Sequence, residues 1–178
     1  FTVLVFGGSQ GAHRINMIFL EALKFLPMER TKTRVIHQTG SADFETVRQA
    51  YGDLGVEADV RPFIQDMPRV FRSADLLVCR AGATSIAEIT ASGKAAILIP
   101  FPYAVHDHQT KNAEVLARAG AAVLAVEKDL TAEVLARMIE DLLNDPRRLR
   151  EMSEKSRALG NVRAASDIVD ECLRLAAA

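Results

Sequence analysis

The chain has 178 residues, 49% of them hydrophobic and 25% charged, and its 22 Lys plus Arg against 23 Asp plus Glu leave a net charge of −1. That is the makeup of one globular domain with enough apolar side chains to bury a core, and it excludes a disordered tail, a collagen-like fibre and a coiled coil. The charge balance is unlike that of a duplex-DNA binder, and no apolar run approaches the roughly 18 residues that span a bilayer.

Thr2–Phe6 is an apolar run closed by Gly7-Gly8 and reads as a buried strand. A helix follows, with Ile15, Ile18, Phe19, Ala22, Leu23 and Leu26 as its apolar stripe and Pro27 near its end. Arg34–His37 is a second strand, followed by a helix over about 42–51. A third strand covers Val56–Arg61, with a short helical turn at Pro68–Arg72. Leu76–Cys79 is a fourth strand, leading to a helix that opens near Ser85 and runs to Ser92. Ala95–Ile99 is a fifth, closed by Pro100 and Pro102. A helix over His108–Arg118 leads to a last strand at Ala121–Val126. Three helical segments finish the chain: Ala132–Leu143 opened by Thr131, one begun by Asp145-Pro146, and one near Val162–Leu175. Continuous apolar strands alternating with helices predict an α/β fold. The expected architecture is a Rossmann-like three-layer α/β/α domain around a parallel sheet of about six strands. Ligands of such sheets bind beyond the carboxyl ends of the strands, so the loops there carry the functional reading.

Gly7-Gly8-Ser9-Gln10-Gly11-Ala12 follows the first strand and opens a helix. Its glycines let backbone N–H groups approach an anion, and the helix N-terminus favours negative charge, which suits a phosphate or diphosphate. The spacing is G-G-x-x-G rather than G-x-G-x-x-G. No acid closes the second strand, where Val35-Ile36-His37-Gln38 stands, and both features argue against a dinucleotide enzyme. No P-loop pattern occurs. After the fourth strand, Arg80–Thr84 leads into a second helix, where Ser85 and Glu88 have the spacing of a capping box. After the fifth strand, His106, Asp107 and His108 lack the further ligands a zinc site needs, and Asp107 suits a helix N-cap. There His108, Gln109 and Asn112 are polar groups suited to hydroxyls. Ile64 and Met67, after the third strand, suit either a flat base or simple loop packing. Arg147, Arg148 and Arg150 read as a solvated helix face. Cys79 and Cys172 sit in unrelated contexts, as in a reducing cytoplasm, and are expected only to pack.

Four motifs stand in order at these strand ends: G-G-S-Q-G-A from Gly7, F-I-Q-D-M from Phe63, C-R-A-G-A-T-S-I-A-E from Cys79 and D-H-Q-T-K-N-A from Asp107. Together they resemble the C-terminal half of the MurG-type N-acetylglucosaminyltransferases of glycosyltransferase family 28, over nearly the whole chain. The resemblance implies one half of a GT-B enzyme: residues 1–178 form a single domain that holds UDP-N-acetylglucosamine. It implies that Gly8, Ser9, Gln10 and Gly11 face the diphosphate, that the Ile64 backbone meets the uracil with Met67 nearby, and that Ala83, Thr84 and Ser85 meet the phosphates. Glu88 is expected to hold the ribose hydroxyls, and His108 and Gln109 to face the sugar with Asn112 in support. Many relatives have a glutamine pair where this chain has His108-Gln109.

The family is inverting and builds peptidoglycan by transferring the sugar to lipid I, forming lipid II, with no nucleotide-chelating metal and no cofactor. Its general base, lipid acceptor site and most of its membrane contact belong to the N-terminal half. The resemblance therefore implies no catalytic residue in this chain, no nucleic-acid partner, and a cytoplasmic protein whose full-length form is peripheral on the inner membrane. Phe1 already lies inside a strand, which leads us to expect an excised domain that binds donor and transfers sugar poorly or not at all. Other readings remain open: the donor domain of a related glycolipid glycosyltransferase, a non-catalytic donor-binding subunit, or a dinucleotide oxidoreductase.

Overall fold

The computed structural model describes residues 1–26 and 32–176, so the expected helix end at Pro27 lies outside the described residues. These form one six-stranded sheet, all of whose neighbouring pairs are parallel, in the order β3-β2-β1-β4-β5-β6. The strands are β1 Thr2–Phe6, β2 Arg34–Gln38, β3 Ala58–Arg61, β4 Leu76–Cys79, β5 Ala95–Leu98 and β6 Ala122–Leu124. The helices are α1 His13–Leu23, α2 Phe44–Asp53, α3 Met67–Ser73, α4 Ala83–Ser92, α5 His108–Arg118, α6 Ala132–Leu143, α7 Pro146–Leu159 and α8 Ala164–Ala176. This is the doubly wound Rossmann-like order, whose direction reverses between β1 and β4.

Alternate residues of β1 face opposite layers, as strand geometry requires. Val3 and Val5 join Ile15, Ile18 and Phe19 of α1, Val47 and Tyr51 of α2, and Leu135 and Ile139 of α6. Leu4 and Phe6 join Val70 and Phe71 of α3, Ile89 of α4 and Leu116 of α5 on the other face. Each such side chain contributes about 1.5–3 kcal/mol by leaving water, and two covered faces explain why the strands carry apolar runs without alternation.

The elements expected from the sequence are present, with shifted ends. β2 extends one residue to Gln38, β3 starts at Ala58 rather than Val56, and β6 is only Ala122–Leu124. At α4 a local expectation fails. α4 begins at Ala83 with Gly82 as its N-cap, so Ser85 lies inside the first turn and forms no capping box with Glu88. The reason is geometric: β4 stops at Cys79 and three residues suffice to turn the chain into the helix, leaving Ser85 too far along to cap it. At the starts of α6 and α7 side-chain caps form as the sequence suggests, whereas Asp107 stands at the N-cap of α5 without one. Thr131 accepts from the Val134 N–H at 3.3 Å, and Asp145 from the Arg148 N–H at 2.9 Å with Pro146 opening α7.

Candidate functional site

The sheet register puts the functional loops in one row. Phe6 is paired with Gln38 on one side and Cys79 on the other, Gln38 with Arg61, and Cys79 with Leu98. Leu98 is in turn paired with Leu124, so all six strands end level, and the loops after them form a rim centred on the β1/β4 reversal. Three helices rise from this rim with no side-chain cap and no acid in the first turn: α1, α4 and α5. Their first N–H groups and the positive ends of their dipoles therefore remain available for an anion.

Backbone contact shapes the loop after β1. Gly8 and Gly11 adopt φ of +94° and +77°, and the Gly11 N–H donates to the Gly8 carbonyl at 3.0 Å. A Cβ at Gly11 would lie 2.0 Å from the Thr39 carbonyl oxygen, and one at Gly40 would lie 2.2 Å from that of Gln10. The loop is pressed against the end of β2, while Ser9 and Gln10 stay exposed.

Beneath it runs a buried polar chain. His37 bonds the Tyr51 hydroxyl at 2.9 Å and the Asn16 Oδ1 at 3.0 Å. Asn16 donates to the Thr39 carbonyl and to Asp43, which also bonds His13 at the start of α1. Burial pushes the His37 imidazole down to about 3, against the pull of the Asp43 charge, so it is neutral at physiological pH. Although desolvation opposes it, the combined His13 and Asn16 hydrogen bonds hold the Asp43 carboxyl below its ordinary value.

The remaining site residues lie along the same rim. Ile64 has its side chain in the core and its N–H donated to Gln38 Oε1 at 2.7 Å. Met67 is half-buried at the first position of α3. Ala83, Thr84 and Glu88 are exposed on α4 and Ser85 is half-buried; Thr84 and Glu88, four residues apart, share a helix face. Gln109 accepts from the Ala81 N–H at 3.3 Å and the Phe101 N–H at 3.0 Å, and Asn112 donates to the Ala81 carbonyl at 3.0 Å. These two side chains tie the loop after β5 to the loop after β4. His108 is exposed, and its Nδ1 bonds the Val105 carbonyl at 2.8 Å. A carbonyl only accepts, so Nδ1 carries a proton in this bond. His106 and Asp107 both adopt left-handed backbone, and Asp107 is the N-cap residue of α5 without a side-chain cap bond.

Arg80 points to the edge of the core. It is 8% exposed, donates to the Ile99 and Pro100 carbonyls at 3.1 Å each, pairs with Glu127 and stacks over Phe101. Cys79 is buried with its thiol pushed up by desolvation, whereas Cys172 is exposed on α8 and packs against no core. Among the described residues no cluster of three or more His, Cys, Asp or Glu side chains is arranged for a metal, and no helix is long and apolar enough to cross a membrane. Sequence reasoning passed over Gln38 and Gly40. The glycine signal that marked the first loop was also present at Gly40, but the contact that gives it meaning comes from a distant loop.

A doubly wound α/β domain with uncapped helix N-termini around its reversal point defines a class built to receive anionic ligands. The chain belongs to glycosyltransferase family 28: the family's C-terminal domain, described as "Glycosyltransferase family 28 C-terminal domain", matches residues 2–171. It is 57% identical over 175 residues to the UDP-N-acetylglucosamine–N-acetylmuramyl-(pentapeptide) pyrophosphoryl-undecaprenol N-acetylglucosamine transferase of Syntrophus aciditrophicus, covering 98% of this chain and 48% of that protein. The like-named protein of Geobacter metallireducens is 52% identical over 173 residues, covering 97% of this chain and 48% of that one. The crystal structure of Acinetobacter baumannii MurG superposes with a TM-score of 0.89 at 36% identity, covering 98% of this chain and 52% of that one. The chain spans about half the length of the curated relatives it matches.

Proposed function

We propose that residues 1–178 are the donor-binding domain of an inverting transferase that moves N-acetylglucosamine from UDP-N-acetylglucosamine to lipid I, forming lipid II of the peptidoglycan pathway. The observation that carries this reading is the rim itself: glycine-shaped loop and uncapped α1 and α4 flank the sheet reversal in a family-28 domain. In this reading Gly8, Ser9, Gln10 and Gly11 cradle the diphosphate from one side, and Ala83, Thr84 and Ser85 meet it from the other. The backbone at Ile64 meets the uracil through the Phe63–Ile64 peptide, whose N–H is already engaged and whose carbonyl accepts from the uracil N3–H, and Met67 packs nearby. Glu88 accepts from the ribose hydroxyls. The Gln109 amide nitrogen and His108 face the sugar, and Asn112 supports them.

The chemistry follows from charge. As the bond between the anomeric carbon and the diphosphate oxygen breaks, negative charge grows on the UDP leaving group. N–H groups and helix dipoles already aimed at that position stabilise the transition state more than the ground state. The acceptor hydroxyl needs a general base, which we assign, with the lipid-binding surface and the membrane contact, to the other half of the full-length protein. That protein would then be peripheral on the cytoplasmic face of the inner membrane.

Calorimetric titration of this chain with UDP-N-acetylglucosamine, UDP-glucose, UDP and NAD tests the reading. Selective binding of the N-acetyl sugar nucleotide with no measurable transfer is expected; absence of any uridine-nucleotide binding would overturn it. Removing the ribose acceptor by Glu88→Ala should weaken donor binding by about 1–3 kcal/mol in a folded protein. An affinity within twofold of the parent would remove Glu88 from its role.

A further inference from the structure

Gln38 lies at the end of β2, 1% exposed, between the two loops assigned above to diphosphate and base. Its side-chain nitrogen donates to the Gly8 carbonyl at 3.0 Å, and its side-chain oxygen accepts from the Ile64 N–H at 2.7 Å. A primary amide carries a donor and an acceptor on neighbouring atoms and can serve both partners at once in this way. In a trans peptide the carbonyl and the following N–H point in opposite directions, and no cis bond occurs among the described residues. Drawing the Gly8 carbonyl inward therefore turns the Ser9 N–H outward. Drawing the Ile64 N–H inward likewise turns the Phe63 carbonyl outward. One buried side chain thus sets a donor on the diphosphate side of the rim and an acceptor on the base side.

We propose that Gln38 is a positioning residue for the nucleotide: by orienting these two peptide planes it presents an N–H to a phosphate and a carbonyl to an N–H of the base, at a fixed separation. The proposal rests on the donor-site reading and adds to it a residue that itself touches no ligand. A ligand with an anion at one end and a ring N–H at the other, as in a uridine diphosphate, satisfies both groups. A cytidine diphosphate does not, because its ring N3 presents a lone pair to the carbonyl.

The titratable groups on flanking elements are engaged elsewhere. Arg61 pairs with Asp59, Asp66 accepts from the Arg69 N–H, and His37 bonds Tyr51 and Asn16 within the opposite layer. A carboxyl introduced at this position would therefore report on the Gly8 carbonyl. When protonated it reproduces the amide, with an O–H for Gly8 and a C=O for Ile64; when ionised it has no donor.

The experiment measures UDP and CDP binding to the full 178-residue chain carrying Gln38→Met or Gln38→Glu, each against the parent at the same pH. Gln38→Met, which removes both bonds at similar length, is expected to weaken UDP by at least about tenfold and to narrow the preference over CDP. With Gln38→Glu the deficit relative to the parent should shrink as pH falls from 8 to 5, a rescue that a merely space-filling role would not show. Amide hydrogen exchange in the parent gives a second measure, free of any folding defect. The Ile64 amide should exchange slowly without ligand, and the Ser9 amide should exchange fast until UDP is added. Parent-like UDP affinity in both variants, a pH-independent deficit in Gln38→Glu, or rapid exchange at Ile64 would each overturn the role of Gln38 while leaving the donor site intact. A parent chain that binds no uridine nucleotide would instead sink the donor-site reading and this inference with it.

Discussion

The loops after β1 and β5 face the same rim and are built in opposite ways. The first is held by backbone sterics. Gly11 and Gly40 leave no room for a Cβ, and buried side chains beneath, among them Gln38, Asn16 and His37, support the loop. The second is held by side chains from above. Gln109 bonds two backbone N–H groups, Asn112 one carbonyl and His108 another, while His106 and Asp107 sit in left-handed backbone without being glycine. The difference teaches where each loop tolerates change: the first by no added atom at its glycines, the second by many substitutions that spare its amides.

Gly11→Val strikes the first loop hardest. It places a β-branched side chain at positive φ and against the Thr39 carbonyl, so a loss of more than about 3 kcal/mol in unfolding free energy is expected, together with loss of UDP binding. Chemical denaturation and titration of the same sample would check both, and near-parental stability would show that the loop yields where its packing says it cannot.

The polar chain under that loop gives the next largest effect. His37 is buried neutral with its folded value near 3, below the roughly 6.5 of an unfolded histidine. Below pH 6.5 the unfolded state binds the extra proton, so this contribution is fully present above that value and is lost as pH falls toward 3. Between pH 7 and 5 the domain should lose about 2 kcal/mol of stability. Urea unfolding at the two pH values measures it, and a flat profile would mean that His37 is solvated or charged in the folded protein.

In the second loop, Gln109→Ala leaves the Ala81 and Phe101 N–H groups without their acceptor. A cost of about 1–2 kcal/mol to stability is expected, with weaker binding of the sugar nucleotide than of UDP alone, since the tether also aims the sugar contacts. Equal losses for both ligands would detach Gln109 from the sugar. The smallest effect belongs to His106→Gly. It removes left-handed strain of about 1–2 kcal/mol but adds chain entropy to the unfolded state, for a net gain of about 0.5 kcal/mol. Thermal melting that shows a loss instead would reveal a contact by the His106 side chain that outweighs its backbone strain.

Much of this was legible in the residues alone. Apolar runs of four or five, alternating with 3.6-period stripes, specify a parallel sheet with both faces covered, because burial on two sides demands it. Gly8 and Gly11 announced the first loop because positive φ is a local property that only glycine meets cheaply. Asp145-Pro146 and Thr131 opened helices for the same reason, since caps act within three residues. Ser85 and Glu88 show the limit of local logic: the spacing of a capping box was present, yet the helix began two residues earlier, where the end of β4 delivered the chain.

What the sequence by itself determined is therefore whatever depends on neighbours along the chain: the class of fold, the order of elements, the glycine loop and the motifs that mark the family. Only the tertiary structure decided the rest. It gave Gln38 its two partners, 30 and 26 residues away. It turned Arg80 toward Glu127 rather than a ligand and made Gln109 and Asn112 a brace between loops. A side-chain amide or guanidinium has no preference of its own for a distant carbonyl. It acquires one only when sheet register brings strand ends level and burial leaves no water to compete.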